Sequence, residues 1–154
     1  MLLASVAGLG IDSATDSPVV LLKEVDGDRV LPIWIGYPEA SAIALELAGL
    51  SFERPLTHDL VREIMEGLKA EVIKIEINDL IDNVFYAELF LQSGNVVAKI
   101  DARPSDSIVM ALKFNAPIFV EEKLMARLPE DGSEDDLAKR IRWIKPEDFG
   151  NFIL

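Results

Sequence analysis

The sequence predicts an α+β fold in which two β-β-β-α-α-like halves share one curved, barrel-like mixed sheet, followed by a short helical C-terminal tail. Three observations predict it. Short β-branched and aromatic runs bounded by turn residues recur in the same order in both halves of the chain. Each third run is followed by a proline, an acidic residue and apolar residues at helical spacing. Past Pro129 the composition turns polar, with PEDGSEDD reading as a linker. Residues 1–128 are therefore expected to form one domain of two pseudo-repeats, about 1–68 and 69–128, with 129–154 as linker and tail.

The strands come first in each half. SVAGLGID from Ser5 corresponds to VIKIEIND from Val72, VVLLKEVDGDR from Val19 to VFYAELFLQSGN from Val84, and LPIWIG from Leu31 to VAKIDA from Val97, at a nearly constant offset. DGD at Asp26 to Asp28 and SGN at Ser93 to Asn95 supply hairpin turns between the second and third strands. Helices follow on Ala40, Ile43, Ala44 and Leu47, on Leu60, Val61, Ile64, Met65 and Leu68, and on Ile108, Val109, Ala111 and Leu112.

The second half is looser after its first helix. Pro117 to Val120 reads as a short extra strand and Glu121 to Leu128 as a short helix. In the tail, Ser133 with Asp136 would cap a helix through Ile141, and Pro146 suits the first turn of another. Trp143, Phe149, Phe152 and Ile153 would dock this tail. Neither half has the length to be stable alone, so a shared sheet must bury both.

Composition narrows the chemistry. The 154 residues contain no cysteine, which excludes disulfides, thiolate zinc sites and cysteine nucleophiles. No run of roughly 18 apolar residues offers a membrane span, and the N-terminus lacks signal-peptide character, so a soluble, cytoplasmic protein is expected. With 15 basic and 27 acidic residues, the net charge of −12 disfavours general nucleic-acid binding unless a local patch holds phosphate. Walker, Rossmann, HExxH and zinc-finger motifs are absent, as is a GxSxG elbow.

Two polar segments remain. In ERPLTHDL, Thr57 is a natural N-cap and Asp59 favours the positive helix end; in ARPSDSI, Ser105 and Asp106 serve the same purpose. Capping leaves Arg54, Arg103 and His58, the single histidine, unexplained. Arginine beside a helix start either pairs with a carboxylate in the chain or binds a phosphate. His58 is either a hydrogen-bonded structural residue or a group that titrates near neutrality in a site.

LPIWIGYPEASAIALEL, RPLTHDL and IDARPSDSIVMAL, in this order, resemble the bifunctional nuclease domain family over roughly Ser5 to Leu128. The resemblance implies an α+β domain with a duplicated barrel-like sheet and, for some members, degradation of DNA and RNA. Matching motif positions are Glu39, Arg54, Thr57, His58, Asp59, Asp101, Arg103, Ser105 and Asp106. A metal-assisted nuclease would use them as follows. His58, Asp59, Asp101 and Asp106 form the catalytic set, and Arg54, Arg103, Thr57 and Ser105 bind DNA or RNA. Glu39, Asp101 and Asp106 hold Mg²⁺ or Mn²⁺. The alternative is a non-enzymatic, homodimeric binding or regulatory protein in which the same motifs form a small-ligand or protein-interaction site.

Overall fold

The computed structural model describes residues 1–127 and 137–149. The first half runs β1 (Leu2–Asp12), β2 (Ser17–Glu24), β3 (Val30–Trp34), α1 (Tyr37–Ala48) and α2 (Thr57–Gly67). The second runs β4 (Glu71–Ile81), β5 (Val84–Ser93), β6 (Val96–Ala102), α3 (Pro104–Phe114) and β7 (Ile118–Val120). A 3-10 turn at Glu122–Leu124 replaces the helix expected from Glu121 to Leu128, whose last residue lies outside the described residues.

Among the described residues one mixed, mostly antiparallel sheet holds every strand, seven of them in the order β3-β2-β1-β7-β4-β5-β6 and an eighth beside β1. Two antiparallel meanders flank β7, which pairs antiparallel with β1 and parallel with β4. The sheet is not closed: β3 and β6 end its path. The hairpins follow their turn residues. Asp82 and Asn83, both with positive φ (52° and 63°), join β4 to β5, and Gly94 at φ 59° opens the turn from β5 to β6.

The tail departs from the expected helices. A short helix, α4 (Leu137–Arg140), passes directly into a strand, β8 (Ile141–Ile144), which pairs with Leu9–Asp12 of β1. The run Ile141-Arg142-Trp143-Ile144 is β-branched and aromatic, and β1 has an edge free to receive it beyond β7. Gly10 permits the contact, since a Cβ there would sit 3.0 Å from the Arg142 carbonyl oxygen and press on Ile141. Phe149 is buried in the main core, with its ring 6.4 Å from that of Tyr37, whereas Trp143 stays half exposed. Ser133, Asp136, Phe152 and Ile153 lie outside the described residues.

Asp12 locks this junction. Its fully buried carboxylate accepts hydrogen bonds from the Ala14 backbone (2.9 Å), Trp34 Nε1 (2.9 Å) and Arg140 Nη2 (2.9 Å). Burial pushes the Asp12 carboxyl up, but the bonds from Arg140 and Trp34 outweigh it and leave it below the usual range.

The helices cover the sheet unequally. Seven residues of α3, Pro104, Ser105 and Ser107 to Ala111, are buried, and α1 buries Ala40, Ile43 and Ala44. Fully buried Ile43, Ile75, Ile77 and Ile108 each contribute about 1.5–3 kcal/mol of apolar burial to the core they share. In contrast, α2 buries only Met65 and leaves Leu60 and Ile64 outside, with Leu68 exposed just past its end. Among the described residues no helix is long and apolar enough to cross a membrane.

Candidate functional site

The site forms where α1, α2 and α3 meet, because α1 and α3 each carry two charged residues seven positions apart on otherwise apolar helices. Glu39 and Glu46 do so on α1, and Asp106 and Lys113 on α3. Seven residues are two helical turns, so each pair lies on one face about 10 Å apart. The first turn of α2 brings His58 and Asp59 to these faces.

Neither expected N-cap hydroxyl takes that role. Leu56 and Arg103 occupy the N-cap positions, and neither helix has a side-chain cap bond there. In α2 the Asp59 carboxylate reaches back to the Leu56 backbone N–H at 2.9 Å, which places Thr57 inside the first turn. In α3, Pro104 supplies the pre-set φ of the first helical position, which moves Ser105 inward, where it is buried.

Two polar groups result. In the first, Asp106 accepts from Arg103 Nε (2.8 Å) and Nη2 (3.2 Å), and it is joined to His58 Nε2 at 2.9 Å. Arg103 Nη1 also donates to Glu39 Oε1 at 3.0 Å. In the second, Lys113 donates to both Glu46 and Asp59. The Lys113 side chain is only 4% exposed, so this cation is held between carboxylates rather than in water.

The charges follow from these contacts. Burial raises the Asp106 carboxyl, yet the bonds from Arg103 and His58 outweigh it and hold it below the usual carboxylate range. The hydrogen bond from Lys113 lowers Asp59 in the same way. Arg103, raised chiefly by its bond to Asp106, is a permanent cation whose side chain remains 63% exposed.

Two open cavities flank His58. One, about 530 Å³, has Leu45, Leu50, Phe52 and Leu56 on its walls and Glu46, Asp59 and Lys113 among its polar groups. The other, about 500 Å³, is lined by Val61, Leu89, Arg103, Ser105 and Asp106. Thr57 and His58 border both.

The structure thus gathers Glu39, Thr57, His58, Asp59, Arg103, Ser105 and Asp106 around one cluster of helix starts. Arg54 is exposed in the connection from α1 to α2, outside the hydrogen-bonded network. Asp101 is exposed on β6 opposite Glu88, and no hydrogen bond joins it to the others among the described residues. Glu46 and Lys113 are additions that motif reading passed over; their signal was a charged residue at helical spacing from another inside an apolar helix.

These residues do not fit Mg²⁺ or Mn²⁺ as arranged. Such an ion takes converging oxygen ligands with lone pairs to spare. Here Glu39 and Asp106 converge on the Arg103 guanidinium instead, and both Asp106 oxygens carry cationic or imidazole partners. Asp101 stands apart, and among the described residues no group of three or more His, Asp or Glu side chains is placed to hold a metal ion.

Comparison with known proteins gives a consistent family. Residues 20–131 match the bifunctional nuclease domain. The chain is 41% identical over 151 residues to an uncharacterised protein of Mycobacterium tuberculosis, covering 96% of this chain and 90% of that one. It is 30% identical over 121 residues to bifunctional nuclease 2 of Oryza sativa subsp. japonica and 28% identical over 116 residues to bifunctional nuclease 1 of Oryza sativa subsp. indica. Those matches cover 76% and 73% of this chain but only 37% and 35% of the plant proteins. With a matched region that contains every residue of the two polar groups, the chain belongs to the bifunctional nuclease domain family.

Proposed function

We propose that the protein is a phosphodiester hydrolase acting on DNA and/or RNA at the Arg103–Asp106–His58 cluster. One observation carries this reading: a single carboxylate, Asp106, orients both an imidazole and an exposed guanidinium beside an open cavity. With His58 Nε2–H donating to Asp106, the lone pair lies on Nδ1, which would accept the proton of the water that attacks phosphorus. The bond to the leaving oxygen then breaks, and that oxygen takes a proton from solvent. Arginine has five N–H donors, and the three bonds to Asp106 and Glu39 use one on each nitrogen, which leaves two for phosphate oxygens.

No step is routed through a metal, because the carboxylates are arranged around a cation. Dependence on Mg²⁺ or Mn²⁺ is read from the same assay. Homogeneous protein is expected to cleave labelled single-stranded DNA or RNA, scored with Mg²⁺, with Mn²⁺ and with a chelator. No cleavage of any substrate under all three conditions would sink the hydrolase reading.

The saturated ion pairs favour a second reading, a non-enzymatic binding or regulatory protein with a small-ligand site in the cavities beside His58. Catalytic inactivity together with a ligand that raises the melting temperature would support it. Either reading is compatible with a cytoplasmic homodimer, which we also propose.

A further inference from the structure

The two ends of the sheet are not alike. At one end, β3 carries Pro32, which has no N–H to offer, and its start is bridged by Ala126 through Val30. At the other, β6 is seven residues long, contains no proline and, among the described residues, pairs only with β5. An open edge of this kind is a template for another strand.

The register of β6 shows what fits. Ser93 and Val96 close the two-residue turn to β5 and form a hydrogen-bonded pair, so by alternation Val97, Lys99 and Asp101 direct their backbone N–H and C=O outward. Asp101 lies directly opposite Glu88, a like-charged cross-strand pair that disfavours the isolated sheet. Lys99 has no ion pair among the described residues and rests over the Phe90 ring at 5.4 Å.

We propose that β6 is a dimerisation edge and that a second copy of this chain pairs with it, antiparallel, about Ile100. In that register Lys99 of each copy faces Asp101 of the other, both at outward, hydrogen-bonding positions. Each lysine thereby reaches the acidic Glu88–Asp101 pair, which forms no ion pair among the described residues. Ile100, 43% exposed, meets its own equivalent on the two-fold axis. Exposed apolar residues lie toward the turn end of β6, where Val96 and Val97 are 67% and 56% exposed. Leu68, 72% exposed at the end of α2, is tied to the β5–β6 turn by the Ser93 hydroxyl donating to its carbonyl at 3.3 Å. The same register sets Val97 of the second copy opposite Arg103, so each subunit borders the other's site. The interface is independent of the chemistry proposed for His58.

The test is a charge swap on the full chain, read by sedimentation equilibrium. The unaltered protein is expected to be a dimer at micromolar concentration. Lys99→Glu and Asp101→Lys should each weaken it about tenfold, since two cross-strand pairs turn repulsive per dimer. The combined Lys99→Glu/Asp101→Lys variant should return to the unaltered affinity, which also shows that the single variants fail in association rather than folding. A monomeric unaltered protein, a dimer indifferent to the single changes, or a combined variant as weak as the single ones would each overturn the proposal.

Discussion

Replacing Lys113 with methionine is expected to lower the unfolding free energy by about 2–3 kcal/mol, somewhat below the cost of about 3–5 kcal/mol for removing one partner of a fully buried ion pair. Methionine keeps the unbranched apolar stem, so packing changes little. What disappears is the cation between Glu46 and Asp59, leaving two carboxylates close together and partly shielded from water. Their side chains are less buried than that of Lys113, which is why the full cost of an uncompensated buried charge is not expected. Denaturant titration of the two proteins measures the difference. Adding Glu46→Gln and Asp59→Asn to Lys113→Met should recover most of the loss, because neutral amides do not repel. A loss below about 0.5 kcal/mol, typical of surface substitutions, would show that water and not Lys113 supports these carboxylates.

Exchange of Asp106 for asparagine is expected to lower turnover on single-stranded substrate by about 10³-fold, within the usual contribution of a positioned acid or base. Asparagine is nearly isosteric, so the helix start should survive. Its amide would donate to His58 Nε2 where the carboxylate accepts, which moves the imidazole proton to Nδ1 and removes the lone pair assigned to water. Arg103 simultaneously loses its carboxylate fork. Steady-state kinetics should therefore show a fall in kcat together with a rise in KM. Unchanged kcat would mean that Asp106 only builds the helix junction.

Most strands were legible because β-branched runs and turn residues are local signals. β8 was not, since Ile141–Ile144 is a strand only by virtue of an edge on β1 at the far end of the chain. Its four residues follow the short α4 directly, and the sequence expectation carries that helix through Ile141. The caps were misplaced by one or two residues: Thr57 and Ser105 have the right chemistry, but Asp59 and Pro104 set the helix starts earlier.

The motif positions Glu39, His58, Arg103 and Asp106 make up the whole of the first polar group. Asp101 joins them in the sequence as a carboxylate at a strand end within the motif IDARPSDSIVMAL. It precedes Arg103 by two residues, but it sits in the strand before the turn into α3, paired across from Glu88. Lys113 and Glu46 were hidden by apolar neighbours that mark them as core helix. A lysine facing an apolar interior needs a partner, and the matching seven-residue spacing of Glu39 with Glu46 and of Asp106 with Lys113 is the pattern that reveals both.

In the proposed hydrolysis the His58 imidazole takes the proton of the attacking water, and chemical rescue probes that role. His58→Ala should cut turnover at least about 10²-fold, and free imidazole added to this variant should restore part of the loss in proportion to its concentration. A contaminating nuclease would show neither effect. If His58→Ala cleaves as fast as the unaltered protein, that role is contradicted.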